Sequence, residues 1–216
     1  MSEKSPSTGA AFIRAHTALA RPPLVPELEL HLATQVTPLW HATQAWLDRE
    51  QVEPPFWAFA WAGGQALARY VLDNPESVRG KRVLDFACGG GVVGIAALQA
   101  GARSVLSVDI DRLALAAAEL NAAHNGVKCA TNGDDWVGRS LSDFDLVLAG
   151  DIFYDRGMVE RCEPWLRASR CTVIAGDPGR IYVPTDVCEL ATYEVPTELE
   201  LEGVSSRRTA VLSLRE

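Results

Sequence analysis

Long hydrophobic runs are missing from this 216-residue chain. No apolar stretch approaches the roughly eighteen residues of a membrane helix, and the N-terminus has no signal-peptide core, so no membrane partner is expected. Paired cysteines are missing too. The five, at 88, 129, 162, 171 and 188, form no C-x-x-C, and no histidine stands near enough to complete a zinc site. An odd, scattered set reads as reduced thiols, which points to the cytoplasm, and no metal is expected. Basic clusters are also absent: 20 Lys and Arg against 28 Asp and Glu leave a net charge of −8, and the basic residues are dispersed. That argues against nucleic acid and leaves a basic protein surface or a small molecule as partner.

What is present divides into three stretches. Residues 1–10, MSEKSPSTGA, are small and polar and read as disordered. Residues 11–75 read as an N-terminal helical extension. Within it AFIRAHTALAR (11–21) is acid-free and contains Arg, as a mitochondrial transit peptide would be, but suits an amphipathic helix burying Phe12, Ile13, His16 and Leu19. Apolar positions then follow at mixed spacing, Leu39, Trp40 and Trp46 among them, before a helix over 64–72. Residues 76–216 read as the core. There RVLDFA, SVLSVDI, DLVLAGDI and TVIAG alternate with helical runs at 92–100, 112–124 and 157–168, the pattern of a parallel α/β sheet with helices on both faces. Asp111 is placed to cap the second of those helices and Asn125-Gly126 to stop it. No helix-period segment follows residue 180, so the sheet is expected to end in an antiparallel pair.

The first strand runs into VLDFACGGGVVG (83–94), whose Gly89, Gly91 and Gly94 make a G-x-G-x-x-G loop opening a helix. Asp109 lies twenty positions after Gly89, where an acid accepts ribose hydroxyls. Both features suit a nicotinamide dinucleotide and S-adenosylmethionine alike. Asp85, at the strand end, is expected to face the ligand. A unit charge about 4 Å away interacts by roughly 4 kcal/mol at an effective dielectric of 20, repulsive toward pyrophosphate and attractive toward an ammonium and a sulfonium. The loop therefore favours S-adenosylmethionine. Asp134, Asp135 and Trp136 follow a short third strand, placed to accept the adenine amino group and cover the ring.

The fourth strand ends in Gly150-Asp151-Ile152-Phe153-Tyr154. A methyl acceptor must stand beside the ends of the first and fourth strands, so Asp151 and Tyr154 are assigned to substrate. A lysine acceptor must lose its proton, which costs roughly 4.6 kcal/mol at pH 7. Asp151 works against that loss, since a carboxylate favours the charged amine, and its expected role is docking and orientation. His124, at a helix end, reads as a surface or capping residue.

Four stretches, PPFWAFAWAGGQALARYVLDNP (54–75), RGKRVLDFACGGGVVGIAA (79–97), VDID (108–111) and DLVLAGDIFYD (145–155), resemble family 16 of the seven-strand class I methyltransferases, and GDPGR (176–180) resembles its bacterial members. The resemblance implies a Rossmann-like sheet of order 3-2-1-4-5-7-6 with its seventh strand antiparallel. It implies cofactor contacts from Trp57 and Trp61 beside Ala87, Cys88, Gly89, Asp109, Trp136 and Gly150, with Asp151 and Tyr154 at the acceptor. It implies a protein-lysine N-methyltransferase, with the electron transfer flavoprotein β-subunit as the expected substrate; a ribosomal protein is a second candidate substrate, and a monomer is expected. Ala87 stands where the family often has glycine. Transfer to a small amine such as nicotinamide is the alternative reading, and an NAD-dependent oxidoreductase or a non-catalytic binding module are remote ones. The lack of an N/D-P-P-Y/F segment argues against amide-like, DNA or glutamine acceptors.

Overall fold

Period-two alternation of apolar residues in the strands divides the molecule into its layers. The computed structural model describes residues 6–33, 55–197 and 203–214. Helix α1 (Pro6–His16) leads into an antiparallel ribbon, β1 (Ala18–Ala20) with β2 (Leu30–Leu32). A 3-10 turn (Phe56–Ala58) and helix α2 (Ala62–Asp73) follow. Next come β3 (Arg82–Phe86), α3 (Val92–Gln99), β4 (Ser104–Val108), α4 (Arg112–His124) and β5 (Ala130–Asn132). The chain closes with β6 (Leu146–Gly150), α5 (Arg156–Ala168), β7 (Thr172–Asp177), β8 (Cys188–Pro196) and β9 (Ser206–Ser213).

Seven of these strands form one sheet in the order β5-β4-β3-β6-β7-β9-β8. Strands β3 to β7 pair in parallel, and β9 runs antiparallel to both β7 and β8, the expected topology. The chain moves outward from β3 to β5 and then returns to lay β6 on the other side of β3. That reversal puts the topological switch point, where such sheets bind ligands, at the carboxyl ends of β3 and β6.

Val83, Val105, Leu146, Leu148 and Ile174 bury against α2 and α3 on one face. Their strand neighbours Leu84, Phe86, Val147, Ala149, Val173 and Ala175 bury against α5 on the other. Helix α2, assigned above to an N-terminal extension, is thus part of this core; its Ala62, Ala66, Leu67 and Val71 are fully buried there. A third cluster joins Ile13 of α1 to Trp57, Ala58 and α4. Asp111 caps α4 by accepting from the Leu113 N–H, and Gly126, at φ 70°, ends it.

The N-terminus departs from expectation. Helix α1 starts at Pro6, inside the stretch read as disordered, and ends at His16. Thr17 turns its hydroxyl back to the Ile13 carbonyl and the chain becomes extended, so Leu19 leaves the helical phase and is 44% exposed on β1. Residues 1–5 and the apolar positions Leu39, Trp40 and Trp46 lie outside the described residues. Among the described residues no helix is long and apolar enough to cross a membrane.

Candidate active site

A cavity of about 830 Å³ opens at the carboxyl ends of β3, β4 and β6. Trp57, Trp61, Ala87, Gly89, Asp109, Asp134, Asp135, Trp136, Gly150, Asp151 and Tyr154 all line it. Asp85, Cys88 and Gly91 do not.

Asp85 needs the fullest correction. It shares the Val83 face of β3, beneath α3, and is 1% exposed. Its Oδ2 accepts from the Gly94 N–H at 3.1 Å and the Ser107 hydroxyl at 3.3 Å. A Cβ on Gly94 would stand 2.6 Å from that oxygen, so this glycine makes room for the buried carboxylate. The carboxyl is turned behind the loop and offers no charge to a ligand. Gly91, at φ 83°, caps α3, and a Cβ on it would stand 3.0 Å from the Ala118 Cβ of α4. Cys88 donates its N–H to the Val108 carbonyl, and burial pushes its thiol well above the ordinary range. Gly90 admits the aromatic turn: a Cβ there would lie 2.7 Å from the Trp57 carbonyl oxygen.

Burial raises the Asp85 carboxyl to about 7, against hydrogen bonds from Gly94 and Ser107 that lower it. The folded chain therefore binds this proton more tightly than the unfolded chain, and stability from this group is lost as pH rises from the ordinary carboxylate range through about 7. Asp85→Asn, neutral throughout, is expected to melt higher than the parent by a few degrees at pH 8, with the gain shrinking toward pH 5. Thermal unfolding of both proteins across that range checks this; a gain independent of pH would contradict it.

The glycine loop is latched from the far side of the cavity. Asp109, at the end of β4, accepts from the Gly89 N–H at 2.9 Å and the Asp111 N–H at 3.0 Å, while burial raises its pKa. Beside it Ile110 is 77% exposed and lines the cavity, as does Trp136, whose indole N–H is anchored on Asn132 Oδ1. At the exposed rim Asp135 is paired with Arg161 and Asp134 with Arg139. On the opposite wall Trp57 is 1% exposed, with its Nε1 lacking a hydrogen-bond partner among the described residues.

The other end of the cavity is built on Asp151. Its φ is 56°; with Ala87, at 53°, it is one of two non-glycine residues in the left-handed region among the described residues, and both line the cavity. This backbone region is disfavoured for a side chain. Asp151 Oδ2 accepts from the Gly64 N–H, in the first turn of α2, at 2.7 Å, and Oδ1 accepts from Arg180 at 3.3 Å. Burial raises its carboxyl to about 6, while Arg180 and the helix N–H groups oppose the rise. Tyr154, 50% exposed, faces Phe56 with ring centroids 6.1 Å apart, and Phe56 meets Trp61 at the same distance. These three rings form an aromatic rim leading to Asp151.

The electron transfer flavoprotein beta subunit lysine methyltransferase of Xenopus laevis is 40% identical over 178 residues, covering 79% of this chain and 70% of that protein. Its Danio rerio counterpart is 35% identical over 203 residues, covering 87% and 76%. The chain belongs to this family of lysine methyltransferases. A family model described as ribosomal protein L11 methyltransferase (PrmA) matches residues 65–152. Among solved structures, ribosomal protein L11 methylase from Lactobacillus delbrueckii subsp. bulgaricus superposes with a TM-score of 0.50 at 22% identity, covering 69% of this chain and 77% of that one. Magnesium protoporphyrin IX methyltransferase from Synechocystis PCC 6803, with bound SAM, gives 0.50 at 20%, covering 71% and 79%. The fold is thus that of the class I methyltransferases.

The sequence alone assigns no role to Phe56, Ile110 or Arg180, which line the cavity. Phe56 lies inside PPFWAFAWAGGQALARYVLDNP and Arg180 inside GDPGR, but neither spacing carries a role. Ile110 had a usable signal, an isoleucine between two acids at a strand end.

Proposed function

We propose that the protein transfers methyl groups from S-adenosylmethionine to lysine side chains of the electron transfer flavoprotein β-subunit. The reading rests on one arrangement in a chain of this family: a cavity with a half-buried acid, Asp109, at one end and an aromatic rim leading to a second acid at the other. Asp109 would hold the ribose hydroxyls, Ile110 and Trp136 the adenine, and Ala87 and Gly89 the methionine portion. The cofactor supplies an electrophilic methyl on a sulfonium. Phe56, Trp61 and Tyr154 exclude water from the alkyl chain of an incoming lysine and aim its amine at the Asp151 end.

The test is peptide mass spectrometry after incubation with purified electron transfer flavoprotein and labelled cofactor. Methylated lysines on the β-subunit are the expected result. A ribosomal-protein lysine is the second reading, favoured by the match over residues 65–152; label there alone would move the substrate. Label on nicotinamide and on no protein would replace the reading with small-amine transfer. Asp109→Ala should weaken S-adenosylhomocysteine binding by about ten- to a hundredfold, since each hydrogen bond to a charged group contributes roughly 1.5–3 kcal/mol. Calorimetric titration measures this, and unchanged affinity would remove Asp109 from the cofactor site.

A further inference from the structure

A carboxylate beside the acceptor poses a chemical problem for the function proposed above. The nucleophile is the neutral amine, and an unneutralised Asp151 would hold the lysine as its ammonium. Its surroundings remove that difficulty. One oxygen is occupied by the Gly64 N–H, at the positive end of α2, and the other by the Arg180 guanidinium. Arg180 itself is held on the cavity wall: its side chain is 24% exposed, and its backbone N–H donates to Asp177 Oδ1 at 2.7 Å. Gly179, at φ 79°, makes the turn that brings it there.

We propose that Arg180 is a positioning residue for methyl transfer, neutralising Asp151 so that the acceptor end takes up lysine as the free amine. The proposal rests on the lysine methyltransferase reading of the site. The arginine fixes the Asp151 side chain, which in turn holds the first turn of α2, and it offers a cation that disfavours a second positive charge nearby. The groups that bear on this end are Arg180, Asp151 just past β6, Asp177 at the end of β7, Tyr154 and Asp155 from the segment before α5, and Asp109 just past β4 across the cavity. Asp177 is fully buried and tied to the same turn, and Asp155 caps α5 through the Met158 N–H. Arg180 is the cation among them that reaches Asp151.

Two variants and two readouts test this. In Arg180→Gln the charge on Asp151 is released, so the rising limb of the pH–rate profile for lysine methylation should move to higher pH by about one unit. Arg180→Lys keeps the charge and should keep the limb in place while lowering kcat, because the planar fork is lost. Affinity for S-adenosylhomocysteine should stay within about threefold in both, the site being at the other end of the cavity. Separately, a carbon-13 NMR titration of aspartate-labelled protein, assigned with Asp151→Asn, should show the Asp151 midpoint rising in Arg180→Gln. An unshifted limb and midpoint in Arg180→Gln would overturn the proposal, as would a limb shifted by Arg180→Lys should the glutamine variant fail to fold. The NMR titration needs no methyl transfer, so a parent enzyme inactive on lysine would defeat the functional reading and leave this one decided by the midpoint.

Discussion

Replacing Asp151 by asparagine is expected to lower kcat/KM for lysine methylation by about a hundredfold while the affinity for S-adenosylhomocysteine changes by less than about threefold. Asparagine can keep one acceptor oxygen on the Gly64 N–H, but its amide then faces Arg180 with N–H against N–H. The guanidinium loses its charge-assisted partner, so the ion pair that fixes the geometry of the acceptor end is gone. Much of the loss should therefore appear in kcat, as a misplaced amine. The profile in pH should change as well. The parent carboxyl, raised to about 6 by burial, becomes protonated below that value and weakens its hold on Arg180, which adds a second fall in activity below the limb set by the lysine amine. The variant has no such group, and that second fall near pH 6 should disappear while the limb of the amine remains. Steady-state kinetics over pH 5–9, with calorimetry for cofactor affinity, measures both effects. Full activity in Asp151→Asn would remove this residue from the acceptor site.

The sheet was legible because its strands are short β-branched runs separated by helices with clear end signals, and the loss of that alternation after residue 180 marked the antiparallel pair. The start of α1 was not, since PSTGA lacks the apolar periodicity that reveals a helix; Ile13 anchors that helix through α4. Within the site, Asp109 is readable from its distance to the glycine loop because both ends of that spacing sit at strand termini. Asp85 was misjudged for a reason the sequence also contained. Period two puts it on the side of Val83 and opposite Leu84 and Phe86, hence under α3, where Gly94 leaves a space for a carboxylate. The preference for a cationic cofactor cannot rest on that charge. Arg180 is a different case: it reaches Asp151 from 29 residues away in sequence through a turn whose glycine shows only that a turn exists.

Gly63→Ala should destabilise the protein by about 3 kcal/mol or more, whereas Gly64→Ala, one residue on, should be close to neutral. Both lie in the first turn of α2, where alanine is intrinsically favoured over glycine by about 1 kcal/mol, so helix propensity predicts a gain at each. Packing reverses the first. A Cβ on Gly63 would stand 2.2 Å from the Gly176 carbonyl oxygen and 2.7 Å from Asp151 Oδ2, whereas at Gly64 the nearest atom is a Val92 methyl at 3.3 Å. The contact is reciprocal, since a Cβ on Gly176 would lie 2.1 Å from the Gly63 carbonyl oxygen, and one on Gly150 would lie 2.8 Å from the Gly64 α-carbon. Here helix backbone meets strand backbone with no side chain between, and neither can move without breaking the sheet ladder between Gly150 and Gly176. At roughly 2–4 °C per kcal/mol for a chain of this size, Gly63→Ala should melt about 10 °C lower than the parent. The same close approach brings the Gly64 N–H onto Asp151, so residual folded Gly63→Ala should also transfer methyl poorly. A melting temperature equal to that of the parent would mean that α2 does not sit on the strand ends as described.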